Sequence, residues 1–138
     1  MKRTLSRIVA MQVIYNYNMT KVFDFNGIMD IVNSEPTESE IDLDYLKQLV
    51  VGVVDNQAQI DFMISMNLKN YTLDRLSVVD RSLLEIGTYE LLFTDTPKNI
   101  IINEIVEISK EYSELDDYKT SKFNNAVLDA IAKSRPNE

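Results

Sequence analysis

Apolar residues recur along this chain at steps of three and four, the period of α-helices laid against a core. The first run spans about Thr4 to Met19. Leu5, Ile8, Val9, Val13 and Met19 share one side, while Ala10, Met11 and Ile14 occupy others. A segment apolar nearly all round is expected to be a buried, central helix. A short second helix is expected after Asp24 as N-cap, through Phe25, Ile28, Met29 and Val32, stopping before the polar stretch Ser34 to Glu40, where Pro36 forbids continuation. Thr37 with Glu40 three residues on matches a capping box. It precedes one long helix carrying Leu43, Leu46, Leu49, Val50, Val53, Val54, Gln57, Ile60 and Ile64 and ending near Asn67 to Asn70.

Leu73 and Leu76 predict a short helical turn, followed by a full helix from Ser77, as N-cap, to Phe93, with Val79, Leu83, Ile86 and Leu91 inward. Gly87 inside that helix costs roughly 1 kcal/mol against Ala, which close approach by a neighbouring helix would explain. Thr96-Pro97 marks the next start, Thr as cap and Pro at the first helical position. Its stripe is Ile101, Ile105, Ile108 and Tyr112, with Ile102 and Val106 beside it. The last helix, about Tyr118 to Lys133, buries Phe123, Val127, Leu128 and Ile131 and stops before Pro136. The expectation is a single all-α domain over residues 1–138, with six or seven helices, no strand, no repeat and no long linker.

Composition narrows the chemistry. The chain has no histidine and no cysteine, which excludes disulfides, thiol catalysis, thiolate or imidazole metal sites and a Ser/His/Asp triad. No apolar run approaches the roughly 20 residues that cross a bilayer, and the start lacks the apolar core of a signal peptide. A soluble, cytoplasmic protein is expected. Gly27, Gly52 and Gly87 are isolated, so there is no phosphate-cradling loop. Glu104, Glu107 and Glu111 share a helix face, but without Glu-x-x-His they read as solvated, with Glu107 pairing Lys110. Asp80, Glu85 and Glu90 are spread around one helix and form no converging pair that would push pKa values apart. No catalytic constellation, cofactor site, small-molecule substrate or metal site is expected.

Charge is unevenly distributed. The formal net charge is −8, yet residues 1–23 carry Lys2, Arg3, Arg7 and Lys21 and no acid. Residues 24–118 hold six Lys/Arg against twenty Asp/Glu, and residues 119–135 hold Lys119, Lys122, Lys133 and Arg135 against Asp129. Focused positive charge can bind nucleic acid on an acidic protein, because salt screens exposed charges beyond about 10 Å at 0.1 M; chance asymmetry is the plain alternative. Lys2 and Arg3 sit in the first turn, where the helix dipole favours acids. Free N–H groups there, with Arg3 and Arg7 one turn apart, would suit phosphate. Tyr15 and Tyr17 offer rings for unpaired bases, unless Tyr15 is core. The second basic cluster, Lys119-Thr120-Ser121-Lys122-Phe123-Asn124-Asn125, joins lysines, hydroxyls and amides at a helix start, and reads either as an RNA-contacting edge or as a polar cap above a core Phe123. If the fold brings both ends together, they form one patch of seven basic residues. Proximity is therefore the deciding geometry.

Three stretches together resemble the NusB family. They are Arg7-x-x-Ala10-x-Gln12-x-x-Tyr15; Asp80-Arg81-Ser82-Leu83-Leu84 through Tyr89-Glu90-Leu91-Leu92; and Ile102-Asn103-Glu104 through Lys110, followed by Lys122-Phe123-x-Asn125-x-Val127-Leu128-Asp129, with the ending Arg135-Pro136-Asn137 also similar. The resemblance implies two small helical bundles and no catalysis. It implies binding of boxA, a short single-stranded element of ribosomal RNA leader transcripts, jointly with NusE, a small-subunit ribosomal protein. The pair would act on elongating RNA polymerase to oppose Rho-dependent termination. By position, it implies RNA contacts at Arg3, Arg7 and Lys119 to Asn125 and places Asp80 and Arg81 among the candidates facing NusE, whose basic character suits the acidic middle of the chain. The chain departs from the family pattern at Thr4 and Leu5, where basic residues are frequent, at Glu85, often Arg, and at Gly87, usually Ala. An adaptor binding basic proteins through its acidic face, without RNA, is the alternative reading. The RNA-binding domain of an rRNA methyltransferase is disfavoured, since no methyl-donor domain follows.

Overall fold

The computed structural model describes residues 2–24, 26, 27, 30, 41–69, 72–113 and 119–135, with only the backbone of Lys2. Helix α1 spans Lys2–Thr20, α2 Leu43–Asp55, α3 Gln57–Met66, α4 Val78–Phe93, α5 Lys98–Tyr112 and α6 Lys119–Ala132, with one 3-10 turn at Leu73–Arg75. There is no strand among the described residues.

The helix buried all round is α4, whose residues from Asp80 to Leu91 are all inaccessible except Arg81. Ser77 caps it as expected, accepting the Asp80 amide at 3.1 Å while its hydroxyl donates to the Asp80 carboxylate at 2.7 Å. Two close approaches define opposite faces of α4. A Cβ on Gly87 would lie 3.0 Å from Leu128 of α6 and 3.2 Å from Ile105 of α5, which accounts for glycine inside this helix. On the far side the ring of Tyr89 packs against Gly52 of α2, where a Cβ would come within 2.2 Å. Helices α1 and α2 pack on α4 as one pair and α5 and α6 as another, while α3, also packed on α4, touches both α2 and α6.

Helix α1 buries Ala10, Met11, Val13 and Ile14 against this framework but leaves Gln12, Tyr15, Asn16 and Met19 exposed. Met19, expected inward, lies about 100° round the helix from the buried Asn18 and faces solvent. The helix ends as Lys21 turns left-handed at φ 62°.

The single long helix expected from Leu43 to Ile64 is two. At Asn56 the side-chain amide donates to the Gly52 carbonyl at 2.8 Å, competing with the backbone ladder and ending α2. The apolar period survives the break, so Ile60 and Ile64 of α3 still reach the core. Helix α2 is capped by Asp42, which accepts the Tyr45 amide at 3.1 Å; Thr37 and Glu40 lie outside the described residues. Asp24 accepts the Gly27 amide at 2.9 Å, as an N-cap does, while Phe25, Ile28, Met29 and Val32 lie outside the described residues. Pro97, and not Thr96, occupies the cap position of α5; its carbonyl accepts from Ile100 and Ile101 at 3.1 Å. Tyr112, expected on the inward stripe, sits in the last turn of α5 and is exposed.

Candidate nucleic-acid interface

At the amino end of α1, Arg7 is not a phosphate ligand in waiting. Its side chain is 3% exposed and grips Glu90 of α4 through both Nε (2.8 Å) and Nη2 (3.0 Å), while Nη1 reaches Glu104 of α5 at 3.0 Å. The Tyr45 hydroxyl of α2 also donates to Glu90, and Thr4 donates to Glu104 at 2.5 Å. Burial disfavours the Arg7 charge, but the hydrogen bond and field of Glu90, with Tyr45 and Glu104, more than offset it and leave its pKa raised. Burial and the neighbouring Glu90 carboxylate likewise push the Tyr45 phenol up. This corrects two expectations. Arg7 ties three helices together, its guanidinium buried and engaged at all three nitrogens by carboxylates, and Glu104 is its partly buried partner instead of a solvated acid. Glu107 does pair with Lys110, at 2.9 Å.

Arg3, one turn earlier, is exposed, with its guanidinium 4.3 Å over the Tyr45 ring. It has no carboxylate partner among the described residues. Beside it a groove of about 560 Å³ opens between the start of α1 and the turn into α5, bordered by Thr4, Asp95, Thr96 and Ile100. Lys2 begins α1, and its side chain lies outside the described set.

The second cluster opens α6. Lys119, Lys122 and Asn125 are exposed, Thr120 and Phe123 are half-buried, and Ser121 and Asn124 are buried. Asn124 donates to Asp80 at 3.1 Å, fixing the start of α6 against the start of α4. The segment has two faces: every third or fourth residue packs, and the residues between face outward. Phe123 borders a depression of about 180 Å³ with Leu76, Ser77, Lys119 and Thr120. Lys122 and Asn125 border another, of about 270 Å³, with Val106 and Lys110. Tyr15 is 38% exposed, so its ring is not core.

The two clusters do not meet. Helix α1 runs antiparallel to α4, since Arg7 bonds Glu90 and Asn18 bonds Ser82 and Glu85. Helix α6 runs parallel to it, since Asn124 bonds Asp80 and Arg135 donates to the Thr94 carbonyl at 2.5 Å. Arg3 thus lies past the C-terminal end of α4 and Lys119 past its N-terminal end. The 16 residues of α4 span about 24 Å, more than twice the screening length at 0.1 M. The single seven-residue patch does not form. Basic residues sharing the Arg3 pole are Lys98 of α5 and Lys133 and Arg135 at the end of α6.

Asp80 and Arg81, the candidates facing a protein partner, are held within the fold. Asp80 is 8% exposed, between Ser77 and Asn124. Arg81 pairs with Asp61 of α3 at 2.8 Å and lies 3.5 Å from Glu85. Burial opposes the Arg81 charge, but the bond to Asp61 raises its pKa. Glu85 was missed as a special group because the residue it converges with lies on another helix. It is fully buried, accepts from Asn18 at 2.7 Å and Gln57 at 3.0 Å, and faces Asp61, whose buried Oδ1 has no other partner. Burial first, then Asp61, pushes Glu85 up to about 8. At neutral pH Glu85 is therefore protonated. The ion pair of Arg81 is the short one with Asp61; the 3.5 Å approach to a protonated Glu85 adds little.

Among the described residues no three acids cluster to hold a metal ion, and no helix is long and apolar enough to cross a membrane. Comparison with known proteins gives a consistent result. Residues 4–133 match the model of the NusB family. A transcription antitermination protein NusB from Listeria innocua is 40% identical over 133 residues, covering 96% of this chain and 97% of that one. The structure of T. maritima NusB superposes with a TM-score of 0.81 at 30% identity, covering 99% of this chain and 94% of that one. A crystal structure of the antitermination factors NusB and NusE in complex with double-stranded RNA contains a chain with a TM-score of 0.79 at 29% identity, covering 96% of this chain and 97% of that one.

Proposed function

The chain belongs to the NusB family, and from that footing we propose that it is a transcription antitermination protein that binds RNA together with NusE. The observation that carries the reading is the near full-length likeness to a chain solved with NusE and RNA. In this proposal the RNA is a boxA-like single strand of a ribosomal RNA leader, and the assembly joins the elongating RNA polymerase in the cytoplasm to oppose Rho-dependent termination. The protein acts as a scaffold, without catalysis.

The outward face of the first turns of α6, Lys119, Thr120, Lys122 and Asn125, supplies phosphate contacts and donor and acceptor edges, and half-buried Phe123 and exposed Tyr15 offer ring surface for unstacked bases. Arg3 supplies a separate contact at the other pole. NusE, being basic, meets the acidic middle of the chain, where the partly exposed Arg81 and Asp61 are more accessible than Asp80.

Anisotropy titration of a fluorescent single-stranded boxA-like oligonucleotide, with and without NusE, tests this. Lys119→Ala with Lys122→Ala is expected to weaken binding and to flatten the log–log salt slope by roughly 1.4, at about 0.7 per lost phosphate contact on single strands. Unchanged affinity would remove α6 from the interface. Absence of binding in both conditions at moderate salt would favour the adaptor reading, and preference for a duplex competitor would overturn the single-strand assignment.

A further inference from the structure

The RNA-binding reading leaves open how a single exposed arginine at the Arg3 pole could contribute usefully. A free arginine side chain loses rotamer entropy on meeting a phosphate. Arg3 is not free in that sense: its guanidinium carbon lies over the face of Tyr45, 4.3 Å from the ring centroid. Tyr45 is itself immobilised. It is 4% exposed, its hydroxyl donates to Glu90, and Arg7 lies 5.3 Å from its ring centroid while holding the same Glu90 by two bonds. Arg7 and Arg81 are met by carboxylates within the fold, whereas the contact of Arg3 is an aromatic face, which leaves its N–H edge unspent. That edge borders the groove beside Thr4 and Thr96.

Resting on that reading, we propose that Tyr45 is a positioning residue for RNA: its ring holds Arg3 at the rim of the groove so that the guanidinium edge meets a backbone phosphate. Tyr45 touches no RNA in this scheme. It acts through Arg3, and Arg7 and Glu90 act through Tyr45 by fixing the plane of its ring. The buried ion pair and the exposed contact are thus one device, in which the arginine that the fold consumes orients the support of the arginine that it displays.

The test is a double-mutant cycle using the fluorescent single-stranded boxA-like oligonucleotide with NusE present. Tyr45→Leu is expected to weaken binding about two- to fivefold, the scale of an exposed cation–π contact. Tyr45→Leu combined with Arg3→Ala should be no weaker than Arg3→Ala alone. Tyr45→Phe, which keeps the ring but loses the bond to Glu90 that fixes its plane, should fall between Tyr45→Leu and wild type, with a salt slope close to that of wild type. Multiplying losses in the double variant, or a Phe variant as weak as the Leu variant, would overturn the positioning role. Should Tyr45→Leu fail to fold, Arg3→Lys keeps the charge without the guanidinium over the ring; it should bind more weakly than wild type, and equal binding would overturn the proposal. If wild-type protein with NusE bound no RNA, the functional reading itself would fall and this role with it. Binding by wild type with no response to any Tyr45 or Arg3 change would sink the positioning role alone.

Discussion

Glu85→Gln isolates one buried proton. Unfolded, Glu85 would release it near the ordinary 4.5; folded, burial and Asp61 hold it to about 8. Between those values the native state binds one more proton than the unfolded chain, so stability falls as pH rises. The contribution is fully present below about 4.5 and lost once pH passes about 8. At about 1.4 kcal/mol per pH unit, this window of roughly three and a half units amounts to a loss on the order of 5 kcal/mol. The chain offers a quiet background for the measurement, having neither histidine nor cysteine, so few other side chains titrate between pH 5.5 and 9. The glutamine amide can donate to the orphan Asp61 Oδ1 while its oxygen keeps the bond from Asn18, but the bond from Gln57, made to the other carboxylate oxygen, is lost. Urea unfolding followed by circular dichroism at pH 5.5, 7 and 9 should show wild type weakening with pH. Glu85→Gln should lie about 1–3 kcal/mol below it at pH 5.5, for the lost bond from Gln57, and show a much flatter slope up to pH 9. A flat wild-type profile, or an equal slope in the variant, would refute a proton held by buried Glu85.

Arg7→Ala leaves Glu90 buried without its cation and is expected to destabilise by about 3–5 kcal/mol, read by urea unfolding, whereas exposed Arg3→Ala should change stability by less than about 0.5 kcal/mol. Gly52→Ala drives a methyl into the Tyr89 ring, itself stacked on Phe93 at 5.5 Å, and should cost about 1–3 kcal/mol by overpacking. Gly87→Ala meets the methyl ends of Leu128 at 3.0 and 3.3 Å and the Cγ1 methylene of Ile105 at 3.2 Å and gains about 1 kcal/mol of helix propensity; its melting temperature should stay within a few degrees of wild type, clearly above that of Gly52→Ala.

What was legible in the sequence was local. Ser77 announced α4 because a cap and its acceptor lie three residues apart, and Gly87 announced a close neighbour because nothing else justifies glycine in a helix. The outward set Lys119, Lys122 and Asn125 could be read from helical period alone. The break at Asn56 was hidden, since a side chain that intercepts the backbone ladder leaves the apolar period undisturbed. The fates of Arg7, Glu104 and Glu85 were hidden for a different reason: each is decided by a charge on another helix, 83 residues away for Arg7 and Glu90 and 24 for Asp61 and Glu85. The separation of the two basic clusters was equally invisible, because it depends on the directions in which α1 and α6 cross α4.

That long reach also bears on how the chain matures on the ribosome. Helix α1 is made first, and its apolar flank can find α2 some 40 residues later, but the counter-ion of Arg7 emerges only with Glu90. At a synthesis rate of about 5–20 residues per second, 83 residues correspond to roughly 4–17 s. During that interval Arg7 has no buried carboxylate of α4 to meet, so burying its charge is unfavourable until Glu90 is made.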